Sequence, residues 1–149
     1  MTESRFVSSI REHNTGLVKI WMEAVRADDR IKSDKDLSDG GLVDHIPVML
    51  EEICEHLERD QPPSSFSIRE ARVHVYLRYQ NGYRGRDLVG ELSQLRTLLH
   101  DHLTELARKS ADVTFEDFSK GLRLINQYID EEVRFAIAVY SEQPQKSEA

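Results

Sequence analysis

Apolar residues recur along the chain at steps of three and four, the pattern of one apolar stripe per helix. Phe6, Ile10, Leu17, Ile20, Trp21, Ala24 and Val25 form the earliest run and predict a first helix. Gly16 falls inside it and weakens it, because Gly costs about 1 kcal/mol against Ala in a helix interior. From Asp28 to Gly41 the chain is charged and closes on Asp39-Gly40-Gly41, which reads as a loop. A second helix carries Leu42, Ile46, Met49, Leu50, Ile53 and Leu57. Pro47 has no N–H to donate, so it either opens the main part of that helix or kinks it. Gln61-Pro62-Pro63-Ser64-Ser65 then breaks the chain. A third helix is expected from about Ser67 to Asn81, with Ser67 and Glu70 spaced as a capping box and Gly82 suited to a left-handed C-cap. The strongest stripe is Leu88, Leu92, Leu95, Leu99, Leu103 and Leu106. A fifth helix opens at Thr114, three residues before Asp117, and carries Phe118, Leu122, Ile125, Ile129, Val133, Ile137 and Tyr140. No comparable segment alternates with period two. The pattern predicts an all-α fold, a single bundle of about five helices over residues 1–140, followed by a polar tail or linker over 141–149.

Composition narrows the class. A chain of 149 residues suits one domain, and 39% hydrophobic residues spread along it argue against disorder. Twenty Lys+Arg against twenty-seven Asp+Glu give a net charge of −7, which argues against nucleic acid and anionic lipid as general partners. No apolar run approaches the roughly 20 residues needed to span a bilayer. The N-terminus lacks the basic and apolar segments of a signal peptide. A single Cys excludes an intramolecular disulfide and a thiolate zinc cage, so a cytoplasmic setting fits best.

Catalytic chemistry finds little support. There is no G-x-S-x-G turn, P-loop or G-x-G-x-x-G, and Glu51 and Glu52 are adjacent but diverge on a helix. None of the six His residues pairs at metal-ligand spacing, so no metal, no catalytic residue and no cofactor is expected. Haem needs only one axial His and an apolar pocket, for which His45 and His74 are the candidates. Satisfied histidines are commoner in helical cores, so haem stands as the alternative. Cys54 lies beside Leu50, Ile53 and Leu57 and reads as a buried thiol.

The polar residues of the third and fourth helices say more. His74 and Arg78 lie four apart on one helix face, and Tyr83 follows at the turn. In an antiparallel hairpin, Arg78 and Glu91 sit at similar distances from that turn, so a buried or half-buried ion pair between them sets the register. Arg96 completes this structural or signalling cluster, and His74 is its group able to titrate near neutral pH. Trp21, His45 and Tyr83 are candidates for a ligand pocket. Of the two long stripes, one on the fourth helix and one on the fifth, one is free to face a second subunit.

The same residues carry a family resemblance. Trp21, the run Leu42-Val43-Asp44-His45-Ile46-Pro47 with Leu50, and His74-x-x-x-Arg78-x-x-x-Gly82-Tyr83 come first. Leu88-Val89, Glu91, Leu95-Arg96, Ile125 to Glu131 and Tyr140-Ser141 follow. Together they resemble the N-terminal domain of RsbRD-type proteins, the co-antagonists of the RsbT kinase. The pattern is also similar to the N-terminal sensory module of bacterial sensor histidine kinases. The resemblance implies a non-catalytic signal-input domain, dimeric, acting through a STAS, PAS or kinase module. Related sensors imply a globin-like arrangement without haem. His100 and His102 lack a phosphoacceptor motif of the H-E-x-x-x-P kind.

Overall fold

A computed structural model of the chain describes residues 4–59 and 68–142. Among the described residues there is no strand. The elements are α1 (Arg5–Glu12), α2 (Asn14–Ala27), a 3-10 turn (Ser33–Asp36), α3 (Asp39–Val43), α4 (Ile46–Arg59), α5 (Arg69–Gln80), α6 (Gly85–Lys109) and α7 (Phe115–Glu142). Six of the helices have eight residues or more, and α3 has five. The all-α expectation holds, with one more full helix than the stripes had indicated.

The extra helix comes from a break at His13. Its backbone leaves the helical region at φ −102°, ψ 13°, and its ring Nδ1 lies 2.9 Å from the Ser9 carbonyl oxygen. The same residue starts the next helix, because its carbonyl accepts from the Leu17 amide at 2.8 Å. Gly16 therefore lies in the first turn of α2, where its low propensity matters less.

Asp39-Gly40-Gly41 is not a loop but the first turn of α3. The Ser38 Oγ accepts from the Gly41 amide at 3.0 Å and so caps that helix. Asp44 then leaves the helix, and Pro47 enters in the first turn of α4, where a missing N–H costs nothing. The expected proline break and the Ser67 cap lie outside the described residues, as does the tail beyond Glu142. The start of α5 is capped from across the fold instead. The Glu52 carboxylate accepts from the Glu70 amide at 3.1 Å and from the Ala71 amide at 3.4 Å. Thr114 caps the Asp117 amide at 3.0 Å, as expected.

Helices α6 and α7 form the long antiparallel spine. Arg96 bonds Asp130 near its middle, and Gly121 lies against Leu103 further along. At the turn end, a Cβ built on Gly85 would sit 3.2 Å from the Tyr140 ring. Leu88, Leu92, Leu95, Leu99 and Leu103 are all fully buried, so the α6 stripe is core and not a free surface. On α7, Ile125 and Ile129 are buried while Ile137 is 57% exposed, so that stripe drifts from core to surface. Helices α1, α2 and α4 cover one side of the spine, and α5 lies across α7. Trp21 and Tyr128 are the largest aromatic side chains of the core.

Gly82 has φ +76°, the left-handed conformation expected of a C-cap. Gly82→Ala forces a Cβ into that region and is expected to lower stability by about 1 kcal/mol. Urea unfolding measures it, and an unchanged midpoint would contradict the role of this turn.

Candidate functional site

The α5–α6 hairpin places Arg78 and Glu91 against each other. The Arg78 Nε donates to Glu91 Oε1 at 2.9 Å, and both side chains are excluded from solvent. His74, one turn earlier on α5, brings its Nε2 to 2.6 Å from the same oxygen. The expected ion pair is present and wholly buried.

Arg78 does more than pair with Glu91. Its Nη2 donates to the Leu42 carbonyl at 2.6 Å and its Nη1 to the Gly41 carbonyl at 3.3 Å. Those carbonyls lie in the last turn of α3, where a cation is favoured. The guanidinium carbon also lies 5.0 Å from the centre of the Tyr83 ring. Trp21 adds α2, since its indole Nε1 donates to the Glu91 main-chain oxygen at 3.0 Å. Four helices therefore converge on one charge pair.

Electrostatics set the protonation states. Burial pushes the His74 imidazole below its ordinary value of 6.5, and this outweighs its hydrogen bond to Glu91. Glu91 is also desolvated, but His74 and Arg78 together hold its carboxyl below its ordinary 4.5. Ionised Glu91 beside neutral His74 requires that the imidazole Nε2 carry the proton and donate it. Burial thus moves the titration of His74 to lower pH than an ordinary imidazole. The Tyr83 hydroxyl faces the same carboxylate in poor hydrogen-bond geometry. It and Glu91 Oε2 have no hydrogen-bond partner among the described residues, and burial raises the phenol above its ordinary range.

Arg96 does not belong to this cluster. Five residues beyond Glu91 on one helix, it points about 140° away. It bonds Asn126 Oδ1 at 2.9 Å and Asp130 Oδ1 at 2.7 Å, clamping α6 to α7. His45 stands at the α3–α4 junction, with its Nε2 2.9 Å from Glu70 Oε1. Of the ligand-pocket candidates Trp21, His45 and Tyr83, His45 is half-buried against Glu70. Trp21 and Tyr83 are packed into the core. A cleft of about 340 Å³ opens elsewhere, beside Val48, Glu52, Glu55, His56 and Glu70. Both haem candidates already have Nε2 against a carboxylate, so neither presents that nitrogen to an apolar cavity. Among the described residues no group of three or more His, Cys, Asp or Glu is placed to hold a metal ion. Cys54 is buried, with its Sγ 4.0 Å from the Val7 carbonyl oxygen.

Geometry of this kind fixes a packing. The family model described as the RsbT co-antagonist protein rsbRD N-terminal domain matches residues 15–147. The chain belongs to that family. No curated protein and no solved structure matches it. The RsbRD N-terminal family is one of stress-response signalling regulators, and every member of the buried cluster lies within the matched stretch. No described helix of this RsbRD-type domain is long and apolar enough to cross a membrane.

A second set of buried polar residues escaped the sequence reading. Glu52, Tyr128 and Glu132 are all core residues, and the Tyr128 hydroxyl donates to Glu52 Oε1 at 2.5 Å. Their signal was a carboxylate in apolar register: Glu52 falls between Met49 and Ile53, and Glu132 between Tyr128 and Ala136. Glu51, its neighbour, does diverge as expected and bonds Arg11 on α1.

Arg78→Ala leaves Glu91 buried without its cation and the α3 carbonyls without a donor. It is expected to cost about 3–5 kcal/mol in denaturant unfolding. A cost under about 1 kcal/mol would remove the clamp from this account. The folded-state values of His74 and Glu91 lie below the ordinary ones, so the unfolded chain binds more protons as pH falls. Their contribution is fully present above about 6.5 and 4.5 respectively and is lost progressively below them. His74→Gln is expected to flatten the His74 part of a stability profile below pH 6.5. An unchanged slope would contradict the assignment.

Proposed function

We propose that the domain is a non-catalytic, cytoplasmic signal-input module that relays a stimulus through α7 to an output module. It works as a homodimer, and its output is a STAS, PAS or kinase module of a stress-response regulator or sensor histidine kinase. The observation that carries this reading is how α7 is mounted. Its 28 residues pack on α4, α5 and α6. The hydrogen bonds described for Arg78, Glu91 and His74 all stay within α3, α5 and α6, with Trp21 reaching in from α2. A clamped frame therefore supports a helix that is free to change its packing, as a two-state relay requires.

The family description supplies the partner class. An RsbT co-antagonist acts on the side of a kinase partner without itself being the kinase, which fits a buried cluster lacking substrate access. The test uses the complete signalling protein carrying Arg78→Lys, which keeps the charge and loses the fork to two carbonyls. The expected result is a shifted basal output from a folded, dimeric protein. Output and dimerisation both unchanged in a variant of measurably lower stability would reject the frame as part of the relay.

A further inference from the structure

Glu132 is the most anomalous residue of the core. It lies on the inner face of α7 with no solvent exposure, and neither carboxyl oxygen has a hydrogen-bond partner among the described residues. The groups facing it come from three helices. Glu52 faces it from α4 and Glu91 from α6, and both add negative potential. Arg78 faces it from α5, but its Nε, Nη1 and Nη2 already donate to Glu91, Gly41 and Leu42. On α7 itself, Tyr128 is one turn away and its hydroxyl is given to Glu52.

A carboxylate in such a place is strongly disfavoured, because nothing replaces the water it loses and its neighbours repel it. Of the cations able to relieve this, a proton alone needs no cavity and no further ligand. We propose that Glu132 is a proton-binding site, held as the neutral acid in the packed domain, and that losing this proton weakens the seating of α7 on α4, α5 and α6. Glu52 lines the 340 Å³ cleft and accepts the Tyr128 hydroxyl, which gives water a short approach to this layer. The stimulus class is then alkalinity, sensed in the core and not at a surface histidine.

The sign follows from linkage. Burial and the two carboxylates push Glu132 well above its ordinary 4.5, so the folded domain keeps a proton that the unfolded chain releases. Its contribution to stability is fully present below about 4.5 and is lost as pH climbs toward the folded-state value.

Denaturant unfolding of wild type and Glu132→Gln across pH 4 to 9 tests this. Above pH 4.5 the folding equilibrium constant of the variant is expected to gain about tenfold on wild type per pH unit, until the folded-state value is reached. The control Glu131→Gln, at a half-exposed neighbour paired with Arg134, gains nothing. A Glu132→Gln difference that is the same at every pH overturns the proposal.

Should the variant not fold, the wild-type infrared spectrum decides. A protonated carboxylic acid band at pH 7 in the folded domain, lost on unfolding, supports the site, and its absence rejects it. The consequence for signalling rests on α7 being the relay. If Glu132→Gln removes the stability slope but leaves the pH response of the complete protein unchanged, the relay reading falls and the proton site stands.

Discussion

The guanidinium of Arg78 is the constraint on which the rest of the packing depends. Three of its nitrogens are committed in three directions, to the Glu91 carboxylate of α6 and to two carbonyls at the end of α3. A five-residue helix has no independent stability, so α3 exists because α5 holds its open end. The α5–α6 hairpin has one register, because any slip strands a buried charge. Such a pair adds little net stability over an apolar replacement, but breaking it is costly, and that asymmetry selects one packing over its alternatives.

Three glutamates share the core and are treated in three ways. Glu91 has a cation and an imidazole N–H, and it stays ionised. Glu52 lies at the N-terminus of α5, where two backbone amides and the Tyr128 hydroxyl meet its oxygens. Glu132 is offered nothing and takes the neutral form. The residue type is the same each time, and the supply of donors decides its charge. Glu132 faces both of the others, so their charge is felt there through a medium that screens poorly.

The helices were legible because each exposes one apolar stripe, and α6 follows its leucines closely. The Arg78–Glu91 pair was legible because opposite charges flank a turn marked by Asn81-Gly82. What could not be read were events that depend on distant partners. Arg96 looked like a member of the cluster from its sequence position, but the rotation of α6 turns it toward Asp130. The break at His13 follows from a side chain reaching its own helix end, which apolar spacing does not encode. His74 carried the sequence signal for pH sensitivity, yet complete burial pushes it downward. The residue that burial raises instead, Glu132, was hidden because a glutamate between apolar positions reads as part of a solvated face until its neighbours are known.

These features divide the molecule into parts with different tolerances. The clamp joins α2, α3, α5 and α6 through charged and indole hydrogen bonds, whose directionality allows little sliding. The described polar links from α7 run through Asn126 and Asp130 to Arg96 and His100, through the Tyr128 hydroxyl to Glu52 on α4, and through the Tyr140 hydroxyl to the Tyr83 carbonyl. Apart from these its inner face rests on non-directional apolar contact, interrupted by one carboxyl with no donor among the described residues. In the proposed relay, α7 shifts between neighbouring packings while the frame beneath it keeps one. Packed cores respond to small biases by switching between discrete arrangements and do not deform smoothly. A buried carboxyl with no donor, on the helix proposed as the relay, is therefore where a small chemical change has the greatest leverage on structure.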